Sequence, residues 1–167
     1  IYPNFALMKL IDTHSHLYSE QFDLDRSQVV KDAISKGIYK ILLPNISSKY
    51  TKRMLALCKE FPKHCFPMMG LHPCEVTEKN YTSEIAHIEK ELAKGKYIAV
   101  GEIGIDLHWN KSTLEIQKKA FIYQIKLAKK HHLPIVIHVR NAFSETINIV
   151  EDLNDVNLTG VFQKSRF

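Results

Sequence analysis

The sequence predicts an α/β fold, a parallel sheet covered by helices, and three observations carry that prediction. Segments with strand and helix patterning alternate along the chain, giving about five βα units and a sixth strand. The strand segments are apolar on both faces, as buried parallel strands are. Residues of metal-ligand type fall repeatedly at the carboxyl ends of those strands, where parallel sheets and barrels gather their chemistry. Two architectures satisfy this pattern, a doubly wound sheet and part of a (β/α)8 barrel. A dinucleotide-binding sheet calls for a glycine-rich turn after its first strand, and here that turn holds histidines and no glycine.

The first strand lies in Leu10-Ile11-Asp12-Thr13-His14-Ser15-His16-Leu17, where Ile11 and its neighbours read as short and buried. Strand side chains alternate faces, so Asp12, His14 and His16 share one face and two imidazoles converge. A helix follows over Leu24 to Gly37, with Val29, Val30, Ala33 and Ile34 as its apolar stripe and Gly37 as its stop. Ile38 to Pro44 is β-rich and short. Ser47 or Ser48 offers a cap to the next helix, in which Tyr50, Met54, Leu57, Cys58 and Phe61 recur at helical spacing until Pro62.

A third strand is expected from Cys65 to Leu71 and a helix from Ser83 to Lys94, carrying Ile85, Ile88 and Leu92 inward. Tyr97 to Ile103 makes the fourth strand. Ser112 opens a long helix to about His132, with Leu114, Phe121, Ile125 and Ala128 inward. Leu133 to Val139 is the fifth strand, Phe143 to Leu153 a short helix, and Leu158 to Phe162 a sixth strand.

Composition sets bounds on function. A chain of 167 residues, 45% hydrophobic and 25% charged, suits one domain with a substantial core. No apolar run approaches the roughly 20 residues of a membrane helix. Ile1 to Leu7 lacks a basic leader and a small-residue cleavage site, so it reads as an extension ahead of a candidate start at Met8, and the expected location is cytoplasmic. Cys58, Cys65 and Cys74 form no C-x-x-C and leave an odd thiol, which fits a reducing compartment. The net charge of +5 favours approach of a polyanion but is spread along the chain. Lys126, Lys129, Lys130, His131 and His132 end a helix, where they complement its dipole. His64 and His87 likewise fall on helices or helix ends, away from the expected mouth.

Four strands end in chemistry: Asp12, His14 and His16; Gly70-Leu71-His72-Pro73; Gly101-Glu102-Ile103-Gly104-Ile105-Asp106; and Ile137-His138-Val139-Arg140. Glu102 shares a face with Ile98 and Val100, and His138 with Val136 and Arg140, so each stands at the mouth above an apolar layer. A buried carboxylate needs a partner, and a cation bound by His14, His16, Glu102 and His138 supplies one. Taken singly, Glu102 is equally a salt-bridge partner and His138 a hydrogen-bonded core histidine; the combination favours metal. Arg140, two residues beyond His138, suits a bidentate clamp on phosphate oxygens. His72 either touches substrate or caps a turn.

Together these motifs, in this order and spacing, resemble the TatD family of metal-dependent deoxyribonucleases, over Met8 to about Phe162. The resemblance implies a TIM-barrel hydrolase of DNA phosphodiesters that uses two divalent ions, zinc, manganese or magnesium. By position, His14 and His16 hold one ion, Glu102 bridges both and takes part in activating water, and His138 holds the second. Arg140 and His72 then contact phosphate, with Asp12 and Asp106 supporting the ligands from behind.

The sequence also departs from the family's pattern. A family histidine ends the sixth strand, whereas this chain reads Gly160-Val161-Phe162-Gln163-Lys164-Ser165-Arg166-Phe167, with Gln163 in the histidine's place. A family aspartate on the last strand has no counterpart here. The expectation is therefore an incomplete barrel over 8–162, an extension over 1–7 and an atypical tail over 163–167. Two other readings stay open: a non-catalytic remnant that binds metal only, and another phosphoesterase or amidohydrolase on the same fold.

Overall fold

The computed structural model describes residues 9–156 and 158–164. The expected extension 1–7 and the end of the tail, 165–167, lie outside the described residues. In chain order the elements are β1 (Leu10–Asp12), α1 (Arg26–Ser35), β2 (Ile38–Pro44), α2 (Ser48–Glu60), β3 (Cys65–Met68), α3 (Tyr81–Leu92), β4 (Val100–Asp106), α4 (Leu114–Lys130), β5 (Ile135–Arg140), α5 (Phe143–Leu153) and β6 (Gly160–Lys164). All strand pairs are parallel, in the orders β1-β2-β3 and β4-β5-β6, and a bridge from Met69 to Val100 joins the two sets. Strands following one another in sequence order, without a reversal, make the barrel-type arrangement and not the doubly wound one. It is an incomplete TIM-type barrel.

Helices and sheet bury a continuous core. Phe121, Ile125 and Ala128 of α4 are fully buried against it, and emptying the Phe121 site would cost about 3–5 kcal/mol. A smaller cluster of Met68, Ala99 and Val136, with Leu42 packed beside it, fills the inner side of the strands. Ile135 and Ile137 belong to the helix-side core while Val136 belongs to the inner cluster, as the alternation of β5 requires.

Three local expectations are corrected. Leu10 and Ile11 are 41% and 53% exposed, because β1 has only β2 beside it in the sheet. Ser47 stands at the start of α2 but makes no side-chain cap. Instead Glu84 of α3 reaches across, accepting from the Ser48 backbone N–H (2.9 Å) and hydroxyl (2.6 Å). A carboxylate there suits the positive end of the helix. The long helix begins at Leu114, after a short 3-10 turn at Lys111–Thr113; Ser112 does not cap it, Thr113 at its start makes no side-chain cap, and Asn110 caps the 3-10 turn by accepting from the Ser112 N–H (2.9 Å).

The face of Glu102 is the correction that matters most for the site. Strict alternation puts it on the side of Val100, yet Val100, Ile103 and Ile105 all pack in the helix-side core. The pairing with β5 slips between Val100 and Ile103, and that irregularity turns Glu102 inward. Gly104 keeps the next step tight: with φ at +144°, a Cβ there would lie 2.0 Å from the carbonyl oxygen of His138. Only glycine permits this approach of β4 to β5.

Candidate metal centre

His14 and His16 follow β1 in a turn held by Asp12, whose Oδ1 accepts from the His14 backbone N–H (3.1 Å). Asp12 therefore supports the pair through the backbone. The two Nε2 atoms lie 3.1 Å apart, and Glu102 Oε2 is 3.1 Å from His14 Nε2 and 3.6 Å from His16 Nε2. On the other side, Glu102 Oε1 is 3.0 Å from His138 Nδ1, and His72 Nε2 lies 3.2 Å from the same nitrogen. Among the described residues, two groups have the donors and spacing for a metal ion: His14, His16 and Glu102, and His72, Glu102 and His138. Glu102 is common to both.

Hydrogen bonds identify which ring nitrogens carry protons. The Tyr18 hydroxyl donates to the carbonyl of Pro44, so at 2.8 Å from His16 Nδ1 it accepts from that ring. Neutral His16 then presents a lone pair at Nε2. His138 Nε2 lies 2.8 Å from Asp106 Oδ2, and its donation there leaves Nδ1 as the lone-pair nitrogen facing Glu102. His72 is different. Its Nδ1 accepts from the Cys74 N–H (3.1 Å), so the proton of the neutral ring sits on Nε2, the atom aimed at the centre. Burial pulls its pKa down to about 4, which keeps the ring neutral. His72 thus stands among the candidate ligands as a donor, and it also caps the turn at Pro73–Glu75.

The donor set fits a divalent cation. His14 Nε2, His16 Nε2 and Glu102 Oε2 stand 3.1–3.6 Å from one another, three donor atoms around one point where a shared proton or a cation offsets their mutual repulsion. Ligands about 2.1 Å from a tetrahedral ion stand roughly 3.4 Å apart, close to these spacings. Burial alone would raise the Glu102 carboxyl, but in the metal-free site the imidazole nitrogens of His138, His14 and His16 at hydrogen-bond distance outweigh it and hold the group well below the usual carboxylate range. Burial tends to lower His138, and the neighbouring Glu102 and Asp106 raise it overall. Desolvation pushes the thiols of Cys58 and Cys65 up to about 12 and 11, so neither serves as a nucleophile at neutral pH.

Several supporting residues escape a reading of ligand motifs. Asn45 is fully buried at the end of β2; its carbonyl accepts from the Glu102 N–H (3.2 Å) and its N–H donates to Gly101 (3.1 Å). Gln117 and Gln124 project from the buried face of α4, seven residues apart. Gln124 Oε1 accepts from the Leu71 N–H (2.7 Å), and Gln117 Oε1 accepts from the Asp106 N–H (2.8 Å). Each fixes a strand end that carries the site. Two glutamines within an apolar stripe were a visible signal. Arg140 stands apart from the histidines, its guanidinium 5.4 Å from the centre of the Trp109 ring. His64 Nδ1 donates to the Tyr39 carbonyl (2.9 Å) and His87 Nε2 pairs with the Thr51 hydroxyl (2.9 Å), both away from the centre.

An incomplete α/β barrel with imidazoles and a shared carboxylate at its strand ends is built as metal-dependent hydrolases are. Residues 11–164 match the family described as TatD related DNase, and the chain belongs to that family. It is 34% identical over 143 residues to YabD of Bacillus subtilis, named an uncharacterized metal-dependent hydrolase, covering 86% of this chain and 55% of that protein. It is 30% identical over 142 residues to a protein of Escherichia fergusonii named 3'-5' ssDNA/RNA exonuclease TatD, covering 85% of this chain and 54% of the other. The crystal structure of YjjV, a TatD homolog from Escherichia coli, superposes with a TM-score of 0.78 at 27% identity, over 87% of this chain and 56% of that one. The chain thus spans about half the length of the relatives it matches. Among the described residues, no helix is long and apolar enough to cross a membrane.

Proposed function

We propose that this chain carries the metal site of a hydrolase that cleaves DNA phosphodiester bonds. The observation that supports it best is Glu102, whose two carboxylate oxygens face two different sets of imidazoles. In this reading His14 and His16 would hold one divalent ion and His138 a second, with Glu102 common to both sets of ligands. Bound there, divalent cations lower the pKa of water and neutralise the attacked phosphate. The chain's own groups do the rest. Asp106 holds His138 in the tautomer that offers Nδ1, and Tyr18 does the same for His16 Nε2. The His72 Nε2–H would hydrogen-bond a phosphate oxygen without giving up its proton, and Arg140 would add charge at the rim. The names of relatives that act on single strands of DNA or RNA support a nucleic-acid substrate.

The test is release of nucleotides from a 3'-ended single strand with added manganese. Activity that disappears in Glu102→Gln supports the proposal, and no turnover at any metal concentration overturns it for this chain. A second reading, metal binding without turnover, draws on Gln163, whose backbone is in register with His138 in the pairing of β5 with β6; an amide oxygen is a poorer ligand type than an imidazole for zinc or manganese. Metal uptake without hydrolysis is the outcome that reading expects.

A further inference from the structure

Trp109 is 73% exposed, an unusual setting for so large an apolar ring, and it is the only tryptophan of the chain. Its place is fixed from both sides. The N–H of His108 donates to Asp106 Oδ1 (2.9 Å), and Asn110 accepts from the Ser112 N–H (2.9 Å), so the indole hangs between two anchored residues. The guanidinium of Arg140 lies over the ring at 5.4 Å, and the His108 ring meets it edge-on at 4.7 Å. Beside it opens a cleft of about 260 Å³, lined by Trp109, Pro73 and Val76 as apolar walls and by Asn110, Thr77 and Asp106 as polar ones. Asp106 is shared: the same carboxylate holds His138 at 2.8 Å.

From this juxtaposition we infer that Trp109 and its cleft bind one unstacked nucleobase of a single-stranded nucleic acid, on the nucleotide whose phosphate meets the metal centre. Every base presents a π-face, so an exposed indole backed by a guanidinium is a platform for any of them. The cleft walls pair flat apolar surface with amide and hydroxyl groups, which suits a heterocycle with polar edges. A duplex keeps its bases stacked and cannot offer one without an unpairing cost, so the platform selects strands that are already single. Arg140 is the joint between the two halves, lying over the indole and with no carboxylate partner among the described residues, so its guanidinium can meet a phosphate. The inference rests on the phosphodiester reading above, and it adds the part of the nucleotide that reading leaves unbound.

The lone tryptophan makes the test direct, since its fluorescence reports on this ring alone. The full 167-residue chain is loaded with zinc and titrated with a phosphorothioate oligothymidylate, and separately with an abasic strand of equal length. Stacking predicts quenching by the thymidylate and none by the abasic strand. Trp109→Ala weakens thymidylate binding, read by anisotropy, on the order of tenfold or more, leaves abasic binding within about twofold, and Trp109→Phe restores most of the loss. Thermal unfolding at the wild-type temperature shows that Trp109→Ala folds. Equal binding of both strands by wild type and Trp109→Ala, without quenching, overturns the base site and leaves the phosphodiester reading standing. Binding of neither strand by the zinc-loaded wild type overturns both.

Discussion

The Tyr18 hydroxyl lies 2.8 Å from His16 Nδ1 and gives its own proton to the Pro44 carbonyl, so one buried phenol decides which nitrogen of His16 faces Glu102. Burial pushes the Tyr18 pKa up, so the phenol stays protonated. Tyr18→Phe removes that constraint. Metal affinity should fall about 10- to 100-fold in competition with a chelator, and the ring ¹⁵N shifts of His16 should move toward a mixture of tautomers. Unchanged shifts would show that the tautomer is fixed by another contact.

Glu102→Gln leaves the shape of the site and removes the charge that both sets of imidazoles face. Atomic emission on the dialysed protein should find metal content near background. His138→Ala should lose only the ion on its own side, so that about half the metal of the wild type remains. A Glu102→Gln variant with full metal content would remove the carboxylate from the site.

The pH dependence of the metal-free chain follows from His72. Its folded pKa, about 4, lies below the ordinary 6.5, because burial disfavours the charged ring. The unfolded chain therefore takes up a proton near pH 6.5 that the folded chain refuses until about 4. The stability this provides is complete above pH 6.5 and is lost as the pH falls toward 4. His138, raised above its ordinary value, contributes in the opposite sense: its share is present below 6.5 and lost as the pH rises through its folded pKa. Urea unfolding at pH 7 and pH 5 should show a smaller drop for His72→Asn than for the wild type.

Glu84→Ala removes the cap that α3 lends to α2, two hydrogen bonds to Ser48 at 2.9 and 2.6 Å. The expected cost is about 1–2 kcal/mol, read as a fall in Tm of roughly 2–8 °C. Metal uptake should be unaltered, which separates this structural carboxylate from Glu102.

The order of elements, the parallel sheet and the presence of His14, His16, Glu102 and His138 at strand ends were legible because period and spacing write them directly into the chain, whereas the barrel-type arrangement came from the family resemblance. β2 and α5 fall on the residues that patterning assigns to them. Distances between elements are not written that way. Glu84 capping a helix 36 residues earlier, Gln117 and Gln124 clamping strand ends, and Tyr18 behind His16 each join residues that only packing brings together.

The sequence by itself determined the fold class and the residue types that gather at the mouth, since both rest on local periodicity. Tertiary structure decided the direction and protonation of the groups there. A slip in one strand turned Glu102 inward, against strict alternation. A backbone N–H bonded to one side of His72 made the other side a donor. An arginine from one strand end was brought over an exposed indole, pairing Arg140 with Trp109. Each is settled by a neighbour distant in sequence, and side-chain chemistry at a site follows the neighbour that a group meets.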